Sequence, residues 1–168
     1  MIQYTASFAV LFLLIYLGFV MNHRSFVWSY DGIKQHFPAL LYLRDYYIKV
    51  TGNIISGHFT LPMFDFSIGM GEDILTTLNF YGLGDPLTLL SVVVPKQHME
   101  MFYNFLAAFR MYLAGLSFIF YCRNRGKGRA VSLAGAWLYV FSGYVLHVAV
   151  KHPFFISPMI LLPLMLTG

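Results

Sequence analysis

The seven carboxylates of this chain all fall between Asp31 and Glu100. Asp31 has the most suggestive setting, in the run Asp31-Gly32-Ile33-Lys34-Gln35-His36. A carboxylate can take a proton from a hydroxyl as general base, or hold a divalent cation beside a phosphate. Gln35 and His36 are near enough in sequence to add polar contacts to the same substrate. The competing use of Asp31 is to cap a helix starting near Ile33. Asp65, Glu72, Asp73 and Asp85 are further carboxylates, with Asp65 and Asp85 the candidates for the second member of a pair. Taken singly, each of these suits a solvated loop acid or a turn former, and Gly84-Asp85-Pro86 reads as a turn.

Two cations in the second half of the chain extend this set. Arg110 falls inside a long apolar run, where an ionisable residue is costly and faces a bundle interior or a watery cavity. It shares a face with Tyr103, Ala107, Ala114 and Ser117 at three- and four-residue spacing, a small, polar stripe suited to helix contact. Arg110 can bind a phosphate from there, or snorkel to the outer interface. Lys151 is a weaker candidate for a phosphate. Gly135, Tyr139, Ser142, Gly143 and His147 make a second stripe, better read as packing. The six histidines show no metal-ligand spacing, and His147 and His152 stand five apart across a Pro turn. A single Cys122 excludes an internal disulfide and a Cys-based zinc site, and it suits packing at a helix end. Gly69-Met70-Gly71 lacks the third glycine of a dinucleotide fingerprint, and no nucleophile elbow or phosphate loop occurs.

The elements that must position these residues are membrane helices. The chain is 58% hydrophobic and 11% charged, whereas soluble chains carry about 25% charged residues. Seventeen Phe and twelve Tyr suit a lipid-facing protein with interfacial aromatic belts. Residues 2–21 hold no charge, and at 1.5 Å per residue they span roughly the 30 Å of a hydrocarbon core. They lack the basic start and small-residue cleavage site of a signal peptide. Residues 102–122 and 130–150 form a second and a third predicted span, and 154–168 start a fourth, interrupted by Pro158 and Pro163. The chain ends where that span has barely reached full length, which suggests a piece of a longer protein.

Charge sets the expected topology. Residues 23–100 carry five Lys or Arg against seven acids, and residues 101–168 carry six basic residues and no acid. Four of those six lie in 123–129, which the positive-inside rule makes cytoplasmic. The N-terminus is then cytoplasmic and 23–100 extracytoplasmic. No basic face with interleaved aromatics is built, which excludes a nucleic-acid surface. Within 23–100 the periodicity predicts an amphipathic helix over 37–50, with Pro38 in its first turn and Thr51-Gly52-Asn53 at its end, lying along the interface. Leu61 to Asp73 and Tyr81 to Pro86 read as ordered loops. Leu87 to Val94 is apolar but too short to cross. The reading is one all-α membrane domain over 1–168, the 23–100 segment being a loop with juxtamembrane helices.

Several motifs occur in one order: Asp31-Gly32-Ile33-Lys34-Gln35-His36, Phe66-Ser67-Ile68-Gly69-Met70-Gly71, Gly84-Asp85-Pro86-Leu87, Phe141-Ser142-Gly143-Tyr144 and Ile160-Leu161-Leu162-Pro163-Leu164. This string resembles the N-terminal part of the YfhO family of bacterial membrane proteins, whose members are several times longer. Those proteins look like GT-C glycosyltransferases, which take a sugar from a polyprenyl-phosphate carrier on the outer face of the membrane. The resemblance implies a multi-helix transmembrane bundle in the bacterial plasma membrane, with the acidic catalytic residue in the first extracytoplasmic loop. Asp31 matches that position. It also implies a cell-envelope polymer such as teichoic acid as acceptor, and a piece this short is expected to be inactive alone. Two readings from other classes are a transporter or flippase of lipid-linked sugar and a non-catalytic membrane assembly protein. A transporter concentrates its polar residues near the midplane, and only Arg110 is there.

Overall fold

The computed structural model describes residues 1–167. The first apolar run folds as two helices, α1 (Ile2–Ile15) and α2 (Leu17–Met21), and not as one. At Tyr16 (φ −98°, ψ 14°) the chain leaves helical geometry, and the Phe19 N–H bonds back to the Tyr16 carbonyl at 2.9 Å. The 14 residues of α1 rise about 21 Å, short of the bilayer core by themselves.

After Asp31 a wide π turn (Gly32–His36) leads into α3 (Phe37–Ile55). Pro38 supplies a physical reason for the wide turn. It has no N–H for the Lys34 carbonyl and its ring crowds that carbonyl, so an α ladder cannot close there. The helix runs past Thr51-Gly52-Asn53, which the sequence reading takes as its end, because residues 51–55 keep helical hydrogen bonding until Ser56 caps it. Two short strands, β1 (Phe64–Asp65) and β2 (Glu72–Asp73), pair antiparallel, Phe64 with Asp73 and Asp65 with Glu72. They correct the reading of this stretch as loop alone. The hairpin tip turns on Gly69 (φ 59°) and Gly71 (φ 105°), left-handed backbone that suits glycine. Then follow α4 (Ile74–Leu78), capped by Asp73, and α5 (Pro86–Leu89), capped by Asp85.

The long helix α6 (Met99–Asn124) contains the predicted 102–122 span. The run 130–150 is two helices, α7 (Arg129–Val140) and α8 (Gly143–Lys151), bent by 49°. The break falls where Ser142 stops being helical and caps α8 with its hydroxyl. The last helix is α9 (Ser157–Met165), which carries Pro163 inside it. Only the helical stretch Lys96–Asn124 is long and apolar enough to cross a membrane among the described residues, or two spans if α7 and α8 together count as one.

The chain divides into two compact units, Met1–Trp28 with Tyr103–Gly168, and Ser29–Phe102. The second has a core of its own, where the sequence reading has a membrane-lying loop. Its buried members Ala39, Leu43, Tyr46 and Tyr47 on α3 pack with Ile74 and Leu78. Full burial of a leucine such as Leu43 is worth roughly 1.5–3 kcal/mol. Polar atoms of α3 side chains, two of them core tyrosines, tie down the loops. Arg44 Nε donates to the Val94 carbonyl at 2.7 Å, Tyr46 OH to the Pro62 carbonyl at 3.1 Å, and the Gly84 N–H to Tyr47 OH at 3.1 Å. The predicted apolar face is real, and it faces these loops because they supply enough apolar and hydrogen-bonding surface to cover it.

The first unit is held by close approach of aromatic rings to glycines. Tyr4 is buried, stacks on Tyr112 at 5.4 Å and donates to the Tyr112 carbonyl at 3.1 Å. A Cβ on Gly115 would overlap the Tyr4 hydroxyl. One on Gly135 would stand 2.8 Å from Phe118, whose ring stacks on Tyr139 at 4.6 Å. Pro163 cannot donate to the Met159 carbonyl. That freed oxygen accepts from Tyr139 OH at 3.0 Å and from Ser117 Oγ at 3.5 Å. The proline predicted as an interruption thus creates a hydrogen-bonding position between helices. Cys122 is buried near the end of α6, as its place in the run suggests.

Candidate functional site

Asp31 stands at the head of the π turn, half-buried, and its side chain makes no capping bond to the backbone. The capping use weighed against catalysis is therefore not the one realised. Its Oδ1 accepts a hydrogen bond from Gln35 Nε2 at 3.4 Å. The other end of that amide is fixed, because Tyr81 OH donates to Gln35 Oε1 at 2.6 Å. A phenol, an amide and a carboxylate thus run in series, with the amide N–H₂ turned toward Asp31. The wide turn sets this up by placing residues 31 and 35 on one side of the chain, and such turns recur at functional sites. His36 is buried, 1% exposed, with its ring centroid 5.8 Å from that of Tyr81. It lies behind Tyr81 and not at the surface.

The two acids named as a candidate second carboxylate have separate engagements. Asp85 Oδ1 accepts the Leu87 N–H at 2.9 Å as the cap of α5. Asp73 does the same for α4, accepting the Thr76 N–H at 2.8 Å. Asp65 Oδ1 accepts the Ser67 N–H at 2.8 Å and its Oδ2 accepts from Tyr42 OH at 2.6 Å. The Tyr42 bond, then the Ser67 bonds, hold the Asp65 carboxyl below the usual carboxylate range. Desolvation, with the charge and hydrogen bond of Asp65, pushes the Tyr42 phenol up. Asp45 is likewise held low, first by Lys96 at 2.9 Å and then by Arg44 at 2.7 Å. Among the described residues no three His, Cys, Asp or Glu side chains gather closely enough to hold a metal ion.

The cations belong to the first unit. Arg110 is buried, 1% exposed, with its guanidinium 5.3 Å from the centre of the Phe154 ring. Snorkelling is excluded by that burial. The stripe of Tyr103, Ala107, Arg110, Ala114 and Ser117 is buried throughout, as helix contact requires. The second stripe is not continuous. Gly143 and His147 are exposed, because the bend at residues 141–142 turns Val145, Val148 and Ala149 inward in their place. Lys151 Nζ sits 4.8 Å from the Trp28 ring centre, a cation–π contact. Asn104 Oδ1 secures the chain just before Trp28 by accepting the Phe26 N–H at 2.8 Å and Ser25 Oγ at 3.1 Å. Tyr81 and Tyr42 are the polar partners that sequence reasoning missed. Both lie far in sequence from the carboxylates they serve, and nothing in the local pattern distinguishes them from other aromatics.

The chain is mostly helical, many of its helix surfaces are apolar and exposed, and its seven acids lie in one segment. The family model described as bacterial membrane protein YfhO matches residues 5–168, and the chain belongs to that family. No curated protein matches the chain, and no solved structure does.

Proposed function

We propose that this chain is part of a GT-C-like membrane glycosyltransferase, and that Asp31 is its general base. The donor is a polyprenyl-phosphate-linked sugar and the acceptor a hydroxyl of a cell-envelope polymer, on the outer face of the membrane. In this reading the protein is multi-pass with a cytoplasmic N-terminus. The observation that carries it is the half-buried Asp31 carboxylate, unused as a cap and oriented through Gln35 by Tyr81.

The chemistry follows from that arrangement. The acceptor hydroxyl oxygen attacks the anomeric carbon of the donor sugar while Asp31 removes its proton. The bond from that carbon to the phosphate oxygen breaks, and the prenyl phosphate leaves with the electron pair. Gln35 holds Asp31 in one orientation by donating to Oδ1, which leaves Oδ2 to take the proton. Tyr81 keeps the Gln35 amide from turning its carbonyl toward the carboxylate, where the two acceptors would repel. Arg110 and Lys151 are weaker candidates for binding a lipid phosphate.

Membranes carrying the full-length protein, supplied with a polyprenyl-phosphate sugar and an acceptor polymer, provide the test. Asp31→Asn keeps size but removes basicity, so transfer should fall by about 10²-fold or more, the usual loss of a general base. Expression and membrane insertion should be unchanged. Gln35→Ala should lower transfer less and leave acceptor KM unchanged. Near-normal transfer by Asp31→Asn would overturn the assignment.

A further inference from the structure

The unit Ser29–Phe102 also contains a cleft whose lining does not include Asp31. It has a volume of about 370 Å³, and Tyr42, Asp45, Tyr46, Lys49, Asp65 and Phe66 are among its walls. That volume lies in the range of small-ligand sites, about 300–1,000 Å³, which combine apolar walls with a few fixed polar groups. We infer that this cleft binds a neutral, hydroxyl-rich ligand, a saccharide, with Phe64 and Phe66 as stacking faces and the Asp65 carboxylate as the hydroxyl acceptor. The inference does not depend on the role given to Asp31.

The aromatic part is exposed yet held in place. Phe66 is 81% exposed and Phe64 53%, and the two rings meet edge to face at 5.1 Å. Behind them is Gly71, where a Cβ would stand 3.0 Å from Phe64 and 3.1 Å from Phe66. Glycine there lets both rings lie against the hairpin backbone. A pyranose has an apolar C–H face that can cover such a ring while its hydroxyls stay at the edge. Tyr42 and Tyr46, stacked at 6.3 Å with planes 15° apart, form the opposite, α3 side of the cleft.

The polar part has a matching character. Each Asp65 oxygen already accepts one bond, from Ser67 N–H or from Tyr42 OH, and each retains acceptor capacity. Held by those two donors, the carboxylate stays ionised and presents a fixed pair of acceptors, the geometry that neighbouring sugar hydroxyls satisfy. Local charge argues against other occupants. Arg44 and Lys96 neutralise Asp45, and the Lys49 charge acts on Asp65, so an organic cation gains little. The ionised Asp65 carboxylate has no proton to offer a phosphate, and its charge opposes one. A lipid surface would cover Phe66 and Met70, but it would strand the charge of Asp65 next to hydrocarbon.

The test uses the full chain in nanodiscs prepared without alkyl-glycoside detergent. The probes are the methyl β-glycosides of glucose, galactose and N-acetylglucosamine, with choline and inorganic phosphate alongside, read by saturation-transfer NMR and titration. At least one glycoside should bind, with Kd on the order of millimolar, and choline and phosphate should not compete. Phe66→Ala and Asp65→Asn should each weaken that binding by about tenfold, and Asp31→Asn should not change it. Phe66→Ala alters an exposed side chain, so it keeps the test valid if Asp65→Asn misfolds. The proposal is overturned by absence of binding of all three glycosides, by preferential binding of choline or phosphate, or by unchanged affinity in Phe66→Ala. Quenching of Phe66→Trp by brominated lipid, with no glycoside effect, would assign the hairpin to the bilayer instead. Glycoside binding together with no sugar transfer by the full-length protein would sink the transferase reading and leave the cleft standing.

Discussion

Residues 1–28 and 103–168 contain no carboxylate, whereas Ser29–Phe102 contains all seven. The difference extends to how each unit holds itself together. The first relies on ring-on-glycine contacts and on hydrogen bonds to carbonyls, as with Tyr4 against Gly115 and Tyr139 on Met159. Its exposed surface is apolar on nearly every helix, Val10, Leu13, Leu138 and Met165 among many, which suits lipid, since water would penalise such patches. The second unit uses charged and phenolic side chains to fasten loops to one helix. A unit whose polar groups are mostly spent on its own backbone has few left for substrate. The unit in which the Asp31 carboxylate caps no helix is the one in which to look for chemistry.

The contrast fails outright if the acidic unit does not face outward. With Cys122 replaced by Ser, Ser67→Cys should be labelled by an impermeant thiol reagent added to intact cells, and Asn124→Cys should not. The reverse pattern would remove the basis for outer-face chemistry. The next largest effect is expected in the first unit. Gly115→Ala forces a methyl into the Tyr4 hydroxyl, and overpacking of that kind costs about 1–3 kcal/mol. Its thermal midpoint in detergent should fall, and Tyr4→Phe, which removes the clashing oxygen, should restore part of the loss.

Smaller effects separate the units by mechanism. Asp85→Ala removes the cap of α5 and should cost about 1 kcal/mol, seen as faster hydrogen exchange in residues 85–94 with little change elsewhere. Acid should act on the second unit first. Asp45 and Asp65 have folded pKa values below the unfolded value, about 3.9 for Asp, so the folded unit binds fewer protons near that pH. Their contribution is full above the unfolded pKa and disappears as pH falls through the folded one. Protection factors in Ser29–Phe102, taken relative to the intrinsic exchange rate at each pH, should therefore drop below about pH 4 while those of the carboxylate-free unit hold. The smallest change is Lys96→Ala. Its pair with Asp45 is about half exposed and worth at most about 1 kcal/mol, so the loss should shrink further in high salt.

Composition and charge placement were enough to read a helical membrane protein with one acidic segment. They are properties of which residues occur and in what order. Burial of the Arg110 stripe was legible for the same reason, since a long uninterrupted helix keeps its 3.6-residue period. Where the helix breaks, the period says nothing. The breaks at Tyr16 and at Phe141-Ser142 follow from local capping and from packing with other segments, and the second turns the stripe through Gly143 and His147 outward. The amphipathic pattern of α3 announced an apolar face but not its partner, because lipid and the protein's own loops satisfy the same pattern. Which carboxylates were free was equally invisible. Asp31, Asp73 and Asp85 all precede short helical turns, yet only the last two cap them with their side chains. That choice depends on contacts across dozens of residues, such as Tyr81 with Gln35 and Tyr42 with Asp65. Such contacts exist only once the chain has folded back on itself.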